Sequence, residues 1–193
     1  MIRLYLVRHG QTYFEPDQRL KGQLDVRLDL TGREQARAVA NHLHSSRVDA
    51  VYASTLRRTR EGADVISELT GAPLLVSPLI DERGWGQRQG LASYEMAIEQ
   101  AAGRVATDGF GPMGEPADEF ARRAQLFLDL VAERSGQTVV AVTHGGILKN
   151  LVLPAIGRAP TDRGAYTQDT GAISLLEYDG SAWRPAFLNM KPK

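Results

Sequence analysis

Two histidines are placed where a reactive side chain can be held rigidly. His9 follows the apolar run Ile2–Val7 and Arg8, and His144 follows the apolar run 138–142; a glycine comes directly after each histidine. A histidine in this position can act as a nucleophile or a base, and an adjacent arginine can hold an anion. Each segment alone is better explained by a histidine that ends a strand. Two such segments in one chain favour a catalytic site.

Arginines and a carboxylate elsewhere in the chain supply groups that suit a phosphate ligand. Residues 54–60 contain three arginines at a predicted junction between a strand and a helix, and a guanidinium matches the paired oxygens of phosphate. We interpret Arg57 and Arg60 as a solvated helix face, which leaves Arg58 as the candidate ligand. Glu82 lies in a loop with two glycines and could protonate a leaving oxygen, although composition alone favours an ordinary surface carboxylate.

The composition excludes several classes of chemistry. The 193 residues include no cysteine, which rules out disulfides, thiolate catalysis and cysteine-ligated metals. The sequence has no His-x-x-x-His pair or acidic cluster, and it has no P-loop, dinucleotide-binding or nucleophile-elbow motif. We therefore expect no metal and no cofactor, and we assign His42 and His44 to solvent or to a helix end.

The charge and the N-terminal segment limit the possible partners. Lys plus Arg and Asp plus Glu number 23 each, so the whole-chain charge does not favour nucleic acid or an anionic membrane. The apolar run Ile2–Val7 is too short for a signal peptide or a membrane span. We expect a cytoplasmic protein with no nucleic acid and no membrane partner. The sequence carries no signal for an oligomeric state.

The order of apolar patterns predicts an α/β fold. Strand-like runs alternate with amphipathic segments, which is typical of a three-layer sandwich with a mainly parallel central sheet flanked by helices. A capping box at Thr31–Glu34 predicts the start of the first helix. Helices are predicted over 31–45, up to Leu69, around 120–131 and from 147 to Pro154. Strands are predicted over 2–7, 48–54, 74–76 and 138–142 and, as a hairpin, over 172–178 and 183–188.

This arrangement would bring the candidate residues together. Ligands of parallel sheets bind beyond the carboxyl ends of the strands, and the polar clusters at 8–10, near 54 and at 143–145 each follow a predicted strand. We interpret residues 1–193 as a single domain. Residues 91–116, the least patterned stretch, are predicted to form a short, partly helical excursion over the site.

Five segments, in order along nearly the whole chain, resemble the signature blocks of the histidine phosphatase superfamily, in the branch typified by cofactor-dependent phosphoglycerate mutase. Residues 8–12 resemble R-H-G-[EQ]-T, and residues 30–36 resemble L-T-x-x-G-x-x-Q-A with two residues fewer between Thr and Gly. Residues 54–58 match S-x-L-x-R, residues 82–90 match E-x-x-[FY]-G-x-x-x-G with Trp85 as the aromatic residue, and residues 142–146 match the second histidine block. One block is weak evidence, whereas five in order are strong evidence.

The resemblance implies roles for these residues. His9 would be the phosphorylated nucleophile, and Glu82 would protonate the leaving group and then activate water. His144 is also counted as catalytic, and the phosphate pocket would consist of Arg8, Arg58, His144 and the backbone amide of Gly145. The cations and N–H groups would balance the charge of the transferring phosphoryl group, so that no metal is needed.

Two charged residues depart from the pattern of the family. Glu15 stands where the family often has Asn, and Lys21 stands before Gly22 where a Gln or a small hydroxyl residue is usual. We place Glu15, Lys21 and Gly22 at the substrate-binding site. Glu15 near a phosphate is unfavourable alone, so either Lys21 compensates it or Glu15 points away.

These residues favour a phosphatase that hydrolyses a small phosphorylated metabolite through a phosphohistidine on His9. An alternative is phosphoryl transfer of the phosphoglycerate mutase type, which the aromatic residue and glycine at 85–86 support. The mutases carry a longer excursion that excludes water, whereas only about two dozen residues separate Gly90 from Glu115 here, and an open site favours hydrolysis. A binding module without catalysis is the third hypothesis, and Glu15 is its only support.

Overall fold

A six-stranded mixed sheet forms the centre of the computed structural model, which describes residues 1–15, 19–103, 114–162 and 164–192. Its strands are β1 (Ile2–Arg8), β2 (Ala50–Ala53), β3 (Leu74–Val76), β4 (Thr138–Thr143), β5 (Ile173–Tyr178) and β6 (Trp183–Met190). The spatial order is β3-β2-β4-β1-β5-β6. The strands β3, β2, β4 and β1 pair parallel with one another, while β5 pairs antiparallel with both β1 and β6.

Helices cover both faces of the sheet in the part of the chain that the structure describes. They are α1 (Leu30–His44), α2 (Arg57–Thr70), α3 (Ser93–Ala101), α4 (Ala117–Ala132) and α5 (Gly145–Val152). Alternate residues of β1 enter opposite cores, since Leu4 and Leu6 pack in a cluster with residues of α4 and α5, and Tyr5 and Val7 pack in a cluster with residues of α1 and α2. The predicted three-layer α/β fold is therefore confirmed. None of the helices described here is long and apolar enough to cross a bilayer.

The helix starts differ in detail from the sequence prediction. Helix α1 begins at Leu30, because the carboxylate of Asp29 accepts a hydrogen bond from the Gly32 N–H at 2.8 Å and acts as the N-cap. The predicted capping box with Thr31 as the cap is thus wrong. Helix α2 has no side-chain cap from its own N-cap residue, and the Arg57 N–H instead donates to Asp25 at 2.6 Å.

The segment 91–116 is only partly described. It contains α3, as the prediction of a partly helical excursion required, but residues 104–113 lie outside the described residues. The start of the segment is joined to the loop at Leu20, which donates its N–H to Leu91 and accepts from the Gly90 N–H. Its end returns at Gly114, which forms an isolated bridge with Trp85. That the segment covers the active site stays a prediction.

Candidate active site

A cleft of about 360 Å³ lies where β1, β2 and β4 end. The strands are parallel, so their carboxyl ends and the residues that follow them meet at one edge of the sheet. Seven of the nine predicted site residues line the cleft, namely Arg8, His9, Lys21, Gly22, Arg58, Glu82 and Gly145. The other two, Glu15 and His144, lie behind its wall.

His9 is held immediately after β1 by hydrogen bonds that fix its ring. Its backbone N–H donates to the carbonyl of Thr143 at the end of β4, and its Nδ1 lies 2.7 Å from the carbonyl oxygen of Gly10. A carbonyl oxygen can only accept, so Nδ1 carries the proton and Nε2 is the nitrogen with a free electron pair. His9 is only 4% exposed. This is the tautomer that a nucleophile acting through Nε2 requires.

The surroundings of His9 favour its neutral form. Burial lowers the pKa of His9 well below its ordinary value, and the guanidinium groups of Arg58 and Arg8 lower it further. The bond to the Gly10 carbonyl raises the pKa, but it does not offset these effects. The imidazole is therefore neutral at physiological pH and available to attack.

His144 is fully buried, and both of its ring nitrogens contact protein groups. The Arg58 Nε–H donates to Nδ1 at 3.1 Å, so Nε2 carries the proton and donates to Ser54 Oγ at 2.7 Å. Ser54 Oγ lies 2.7 Å from Thr59 Oγ1, which in turn donates to the carbonyl of Leu56 at 2.7 Å. This chain of hydrogen bonds fixes one tautomer of His144. In this arrangement His144 positions Arg58 and does not line the cleft.

The two histidines are packed against each other. Their ring centroids are 5.2 Å apart with an interplanar angle of 62°. Burial lowers the pKa of His144 well below its ordinary value, and Arg58 lowers it further. The His144 ring is therefore neutral, and it packs against the His9 ring without adding a positive charge beside it.

Arg58 supplies a buried positive charge at the cleft. Its side chain is 1% exposed, and its Nη1 and Nη2 donate to the carbonyls of Leu24 and Gly22 at 2.8 and 2.7 Å. Burial lowers the pKa of Arg58 to about 10, although the nearby Glu82 acts in the opposite direction. The group is still charged at neutral pH. Each terminal nitrogen carries a second N–H, which could donate a hydrogen bond to an anion in the cleft.

Arg8 is the second guanidinium at the cleft. Its Nη1 donates to the backbone carbonyl of Gln168 at 2.6 Å, and its Nε is buried without a hydrogen bond to any residue that the structure describes. A buried donor without a partner is costly, so this atom fits an anion that is bound during function. A Cβ at Gly145 would lie 3.4 Å from Arg8 Cζ, a van der Waals distance, so the guanidinium lies against the start of α5.

The carboxylate of Glu82 also contacts the start of α5. Its Oε1 accepts from the Arg83 N–H at 2.9 Å, and its Oε2 accepts from the Gly146 N–H at 3.0 Å. A Cβ at Gly146 would overlap Glu82 Oε1, so a side chain here would displace the carboxylate from the Gly146 N–H. The first N–H groups of a helix have no partner within the helix, and here one of them orients the carboxylate at the cleft.

A half-buried ion pair between Arg123 and Glu115 holds the loop that carries Glu82. Arg123 on α4 donates to the carbonyls of Leu79, Asp81 and Glu82 at 3.0, 2.6 and 3.1 Å. Its Nε also contacts Glu115 Oε1 at 2.6 Å, and the two side chains are 15% and 16% exposed. The sequence analysis missed the contact between Arg123 and this loop, because no local pattern joins residues 41 to 44 positions apart.

Glu15 and Lys21 form an ion pair with an N–O distance of 2.8 Å. Glu15 Oε2 also accepts from the N–H and the hydroxyl of Thr12 at 2.8 and 2.6 Å. Burial alone would raise the pKa of Glu15, but the bonds from Lys21 and Thr12 outweigh it and lower the pKa. Of the two alternatives for Glu15, the structure has the one in which it contacts Lys21.

Gly22 adopts a backbone conformation that favours glycine. Its φ is +50°, and a Cβ there would overlap the side-chain amide of Gln89. Its carbonyl accepts from Arg58 Nη2, so the residue helps to position the guanidinium. The predicted role of Gly22 at the site thus has a specific structural basis.

The rest of the cleft wall consists of residues that the sequence analysis did not assign to the site. They are Arg19, Leu20, Trp85, Gly146, Lys149, Thr167 and Gln168. Gln168 is buried, and its Nε2 donates to the carbonyls of Leu6 and Ala172 at 3.0 and 2.7 Å, which fixes the loop whose carbonyl binds Arg8. Only the motif match at Trp85 and the paired glycines at 145–146 gave a sequence signal. Among the described residues, no group of three His, Asp or Glu side chains could hold a metal ion.

Known phosphatases and a protein named after phosphoglycerate mutase are similar to this chain in sequence or fold. "Phosphoglycerate mutase-like protein 4" of Arabidopsis thaliana is 32% identical over 189 residues, covering 93% of this chain and 81% of that protein. The structure of a mycobacterial glucosyl-3-phosphoglycerate phosphatase in complex with VO₃ is 28% identical with a TM-score of 0.84, covering 97% of this chain and 98% of the other. The alpha-ribazole phosphatase from Shigella flexneri has the same fold with a TM-score of 0.89 at 24% identity, covering 98% and 96%. Residues 4–191 match the histidine phosphatase superfamily (branch 1), and the chain therefore belongs to that family.

Proposed function

We propose that this protein hydrolyses a small phosphomonoester through a phosphohistidine on Nε2 of His9. The observation that carries the proposal is the buried, neutral His9, whose Nδ1 proton is committed to the Gly10 carbonyl while Arg8 and Arg58 lie beside it. A neutral imidazole next to two guanidinium groups suits attack on a phosphate dianion. The volume of the cleft, about 360 Å³, is near the lower end for small-molecule sites.

The reaction has two steps. In the first, His9 Nε2 attacks phosphorus, the bond from phosphorus to the alcohol oxygen breaks, and Glu82 gives a proton to the leaving oxygen. In the second, Glu82 takes a proton from water, the water oxygen attacks phosphorus, the bond from phosphorus to His9 Nε2 breaks, and inorganic phosphate leaves with His9 neutral again. Arg8, Arg58 and the N–H groups at the start of α5 balance the charge on the phosphoryl oxygens in both steps. The net change is ester plus water to alcohol plus phosphate.

Metal-independent catalysis is part of this proposal. The guanidinium groups of Arg8 and Arg58 supply the positive charge that a divalent ion supplies in other phosphoryl-transfer sites. Activity should therefore survive EDTA and dialysis. Loss of activity on chelation, with recovery on adding one divalent ion, would contradict this part of the proposal.

Phosphoglycerate mutase activity is the second candidate, and the name of the Arabidopsis relative favours it. The mycobacterial phosphatase whose structure holds VO₃, an oxyanion that resembles phosphate, favours hydrolysis instead. The short segment between Gly90 and Glu115 favours hydrolysis as well, since a mutase must keep water away from its phosphoenzyme. An assay with 3-phosphoglycerate and a bisphosphoglycerate primer separates the two reactions.

The test of the mechanism compares wild type with His9→Ala on p-nitrophenyl phosphate. His9→Ala should lose nearly all turnover while it remains folded, and wild type should yield a phosphoenzyme that is stable in base and labile in acid. His42→Ala, which changes an exposed histidine on α1, is the matched control and should keep full activity. Substantial turnover by His9→Ala, or an acid-stable phosphoenzyme, would exclude the mechanism. No turnover by wild type would favour the binding module.

A further inference from the structure

Besides Arg8 and Arg58, three cations line the cleft in the part of the chain that the structure describes, and each of them interacts with another group of the protein. Arg19, Lys21 and Lys149 line the cleft together with Leu20 and Trp85. Lys21 contacts Glu15 at 2.8 Å, Arg19 contacts Glu95 at 2.8 Å, and Lys149 also interacts with a protein group. The positive charges of Arg19 and Lys21 at the cleft are therefore each already compensated by a carboxylate.

Glu15 cannot move away easily to release Lys21. Its Oε1 faces Lys21, while its Oε2 accepts from both the backbone N–H and the hydroxyl of Thr12. Three donors from two residues thus hold the carboxylate, and its side chain is 24% exposed. A second anionic group that approached Lys21 would meet this fixed carboxylate behind the ammonium.

Glu95, the partner of Arg19, is likewise held by a second hydrogen bond from the backbone. Its Oε2 accepts from the Ala92 N–H at 2.8 Å at the start of α3 and from Arg19 Nη1 at 2.8 Å. Arg19 Nη1 also donates to the carbonyl of Gly90 at 2.7 Å, so its guanidinium is held in place independently of Glu95. An anion that bound Arg19 would have to share it with a carboxylate that a helix terminus stabilises.

From these two anchored ion pairs we propose that the cleft selects a phosphomonoester whose alcohol half carries no negative charge. The inference rests on the proposed function and narrows it to a substrate class. A single phosphate dianion is balanced by Arg8 and Arg58, whereas a carboxylate or a second phosphate near Lys21 or Arg19 would have to share a cation that Glu15 or Glu95 already neutralises. An uncharged, hydroxylated or aromatic alcohol instead meets Leu20, Trp85, Thr167 and Gln168.

A pair of substrates that differ in one group tests this inference. Glycerol 3-phosphate and 3-phosphoglycerate share a three-carbon skeleton, and only the second has a carboxylate. We expect kcat/KM for phosphate release from glycerol 3-phosphate to exceed that for 3-phosphoglycerate by about tenfold or more, the factor that corresponds to about 1.4 kcal/mol. Glu95→Gln and Glu15→Gln should each reduce this ratio severalfold, because they free a cation while the amide oxygen can still accept from the backbone N–H.

The control is Glu68→Gln, which removes the same charge from an exposed position near the end of α2 and should leave the ratio unchanged. A wild-type preference for 3-phosphoglycerate, or a ratio that the two cleft variants shift no more than Glu68→Gln does, would overturn the inference. If p-nitrophenyl phosphate is still hydrolysed in that case, the proposed function stands. No phosphate release from any of the three esters would overturn both.

Discussion

The Nε–H of Arg58 donates a hydrogen bond to Nδ1 of His144 across 3.1 Å, so a permanent positive charge lies against the unprotonated nitrogen of a fully buried imidazole. Protonation of His144 would remove this hydrogen bond and bring two cations into contact. His9, whose ring centroid is 5.2 Å away, would be the third cation in the group. The site therefore requires both histidines to be neutral, and this requirement has consequences for its pH dependence.

We expect activity to persist well into the acidic range. Burial, Arg58 and Arg8 hold the pKa of His9 well below its ordinary value of 6.5, so the nucleophile stays neutral when the pH falls through 6.5. The acid limb of kcat/KM, corrected for the ionisation of the phosphoester, should therefore lie well below pH 6.5. A limb at or above 6.5 would show that His9 titrates as an exposed histidine does.

The same two histidines should make the folded protein less stable in acid. Their pKa values are lower in the folded chain than the ordinary value of 6.5 that applies when it is unfolded. Below that pH the unfolded chain binds more protons than the folded chain, so the free energy of unfolding decreases as pH falls. Urea denaturation of wild type and His144→Gln between pH 8 and pH 5 measures the effect, and the variant should have the shallower decrease.

Glu82→Gln should slow the reaction in a way that depends on the leaving group. An alkoxide needs a proton to leave, so the loss on an alkyl phosphate should be about 10²- to 10⁴-fold, the usual range for general acid catalysis. p-Nitrophenolate is stable as an anion, so the loss on p-nitrophenyl phosphate should be much smaller. Glu68→Gln is again the control for charge. Equal losses on both esters would indicate that Glu82 acts by positioning or electrostatics alone.

Arg123→Met should copy the leaving-group dependence of Glu82→Gln, because Arg123 holds the backbone from Leu79 to Glu82. The change would also leave the half-buried Glu115 without its cation and cost about 1 to 3 kcal/mol of stability. The variant Glu115→Gln/Arg123→Met removes both charges and should recover part of that stability, but not the lost activity on alkyl phosphates. If Glu82→Gln is added to this double variant, its activity on alkyl phosphates should decrease little further. A uniform loss on both esters would assign Arg123 a purely structural role.

The residues that the sequence analysis found share one feature, which is a local pattern. His9, Arg58 and His144 each follow a short apolar strand in a recognisable block, and buried parallel strands have such apolar runs because both faces are covered. The matching blocks therefore located the edge of the sheet at which the cleft lies. They did not predict that His144 lies behind the wall, since a motif does not show which nitrogen bonds to which neighbour.

The residues that the sequence analysis missed are partners across long stretches of chain. Arg123 reaches the Glu82 loop, the Gln168 carbonyl binds Arg8, and Asp25 caps α2. Each contact depends on tertiary packing, and no periodicity or motif within a single segment indicates which distant segment it will contact. The outcome at Glu15 was left open for the same reason, because charge alone does not tell whether a side chain turns toward Lys21 or toward solvent.

The contact between Glu15 and Lys21 makes a quantitative prediction about phosphate affinity. Without Lys21 the carboxylate of Glu15 would stand uncompensated behind the cleft wall. Two unit charges ~6 Å apart at an effective dielectric of ~20 repel by about 3 kcal/mol, and solvent and salt would reduce this to about 1 kcal/mol. Lys21→Ala should therefore weaken inhibition by inorganic phosphate roughly fivefold to tenfold. Arg37→Ala, which removes an exposed cation from α1, should have no such effect.

The double variant Glu15→Asn/Lys21→Ala decides whether the two residues act as a pair. Glu15→Asn removes the charge that repels phosphate, so it should restore most of the affinity that Lys21→Ala loses. The inhibition constants of wild type, both single variants and the double variant form a double-mutant cycle, and a coupling near 1 kcal/mol is expected for residues in direct contact. Additive effects would mean that the ion pair at 2.8 Å does not compensate charge at the phosphate site, and that Lys21 acts on phosphate by itself.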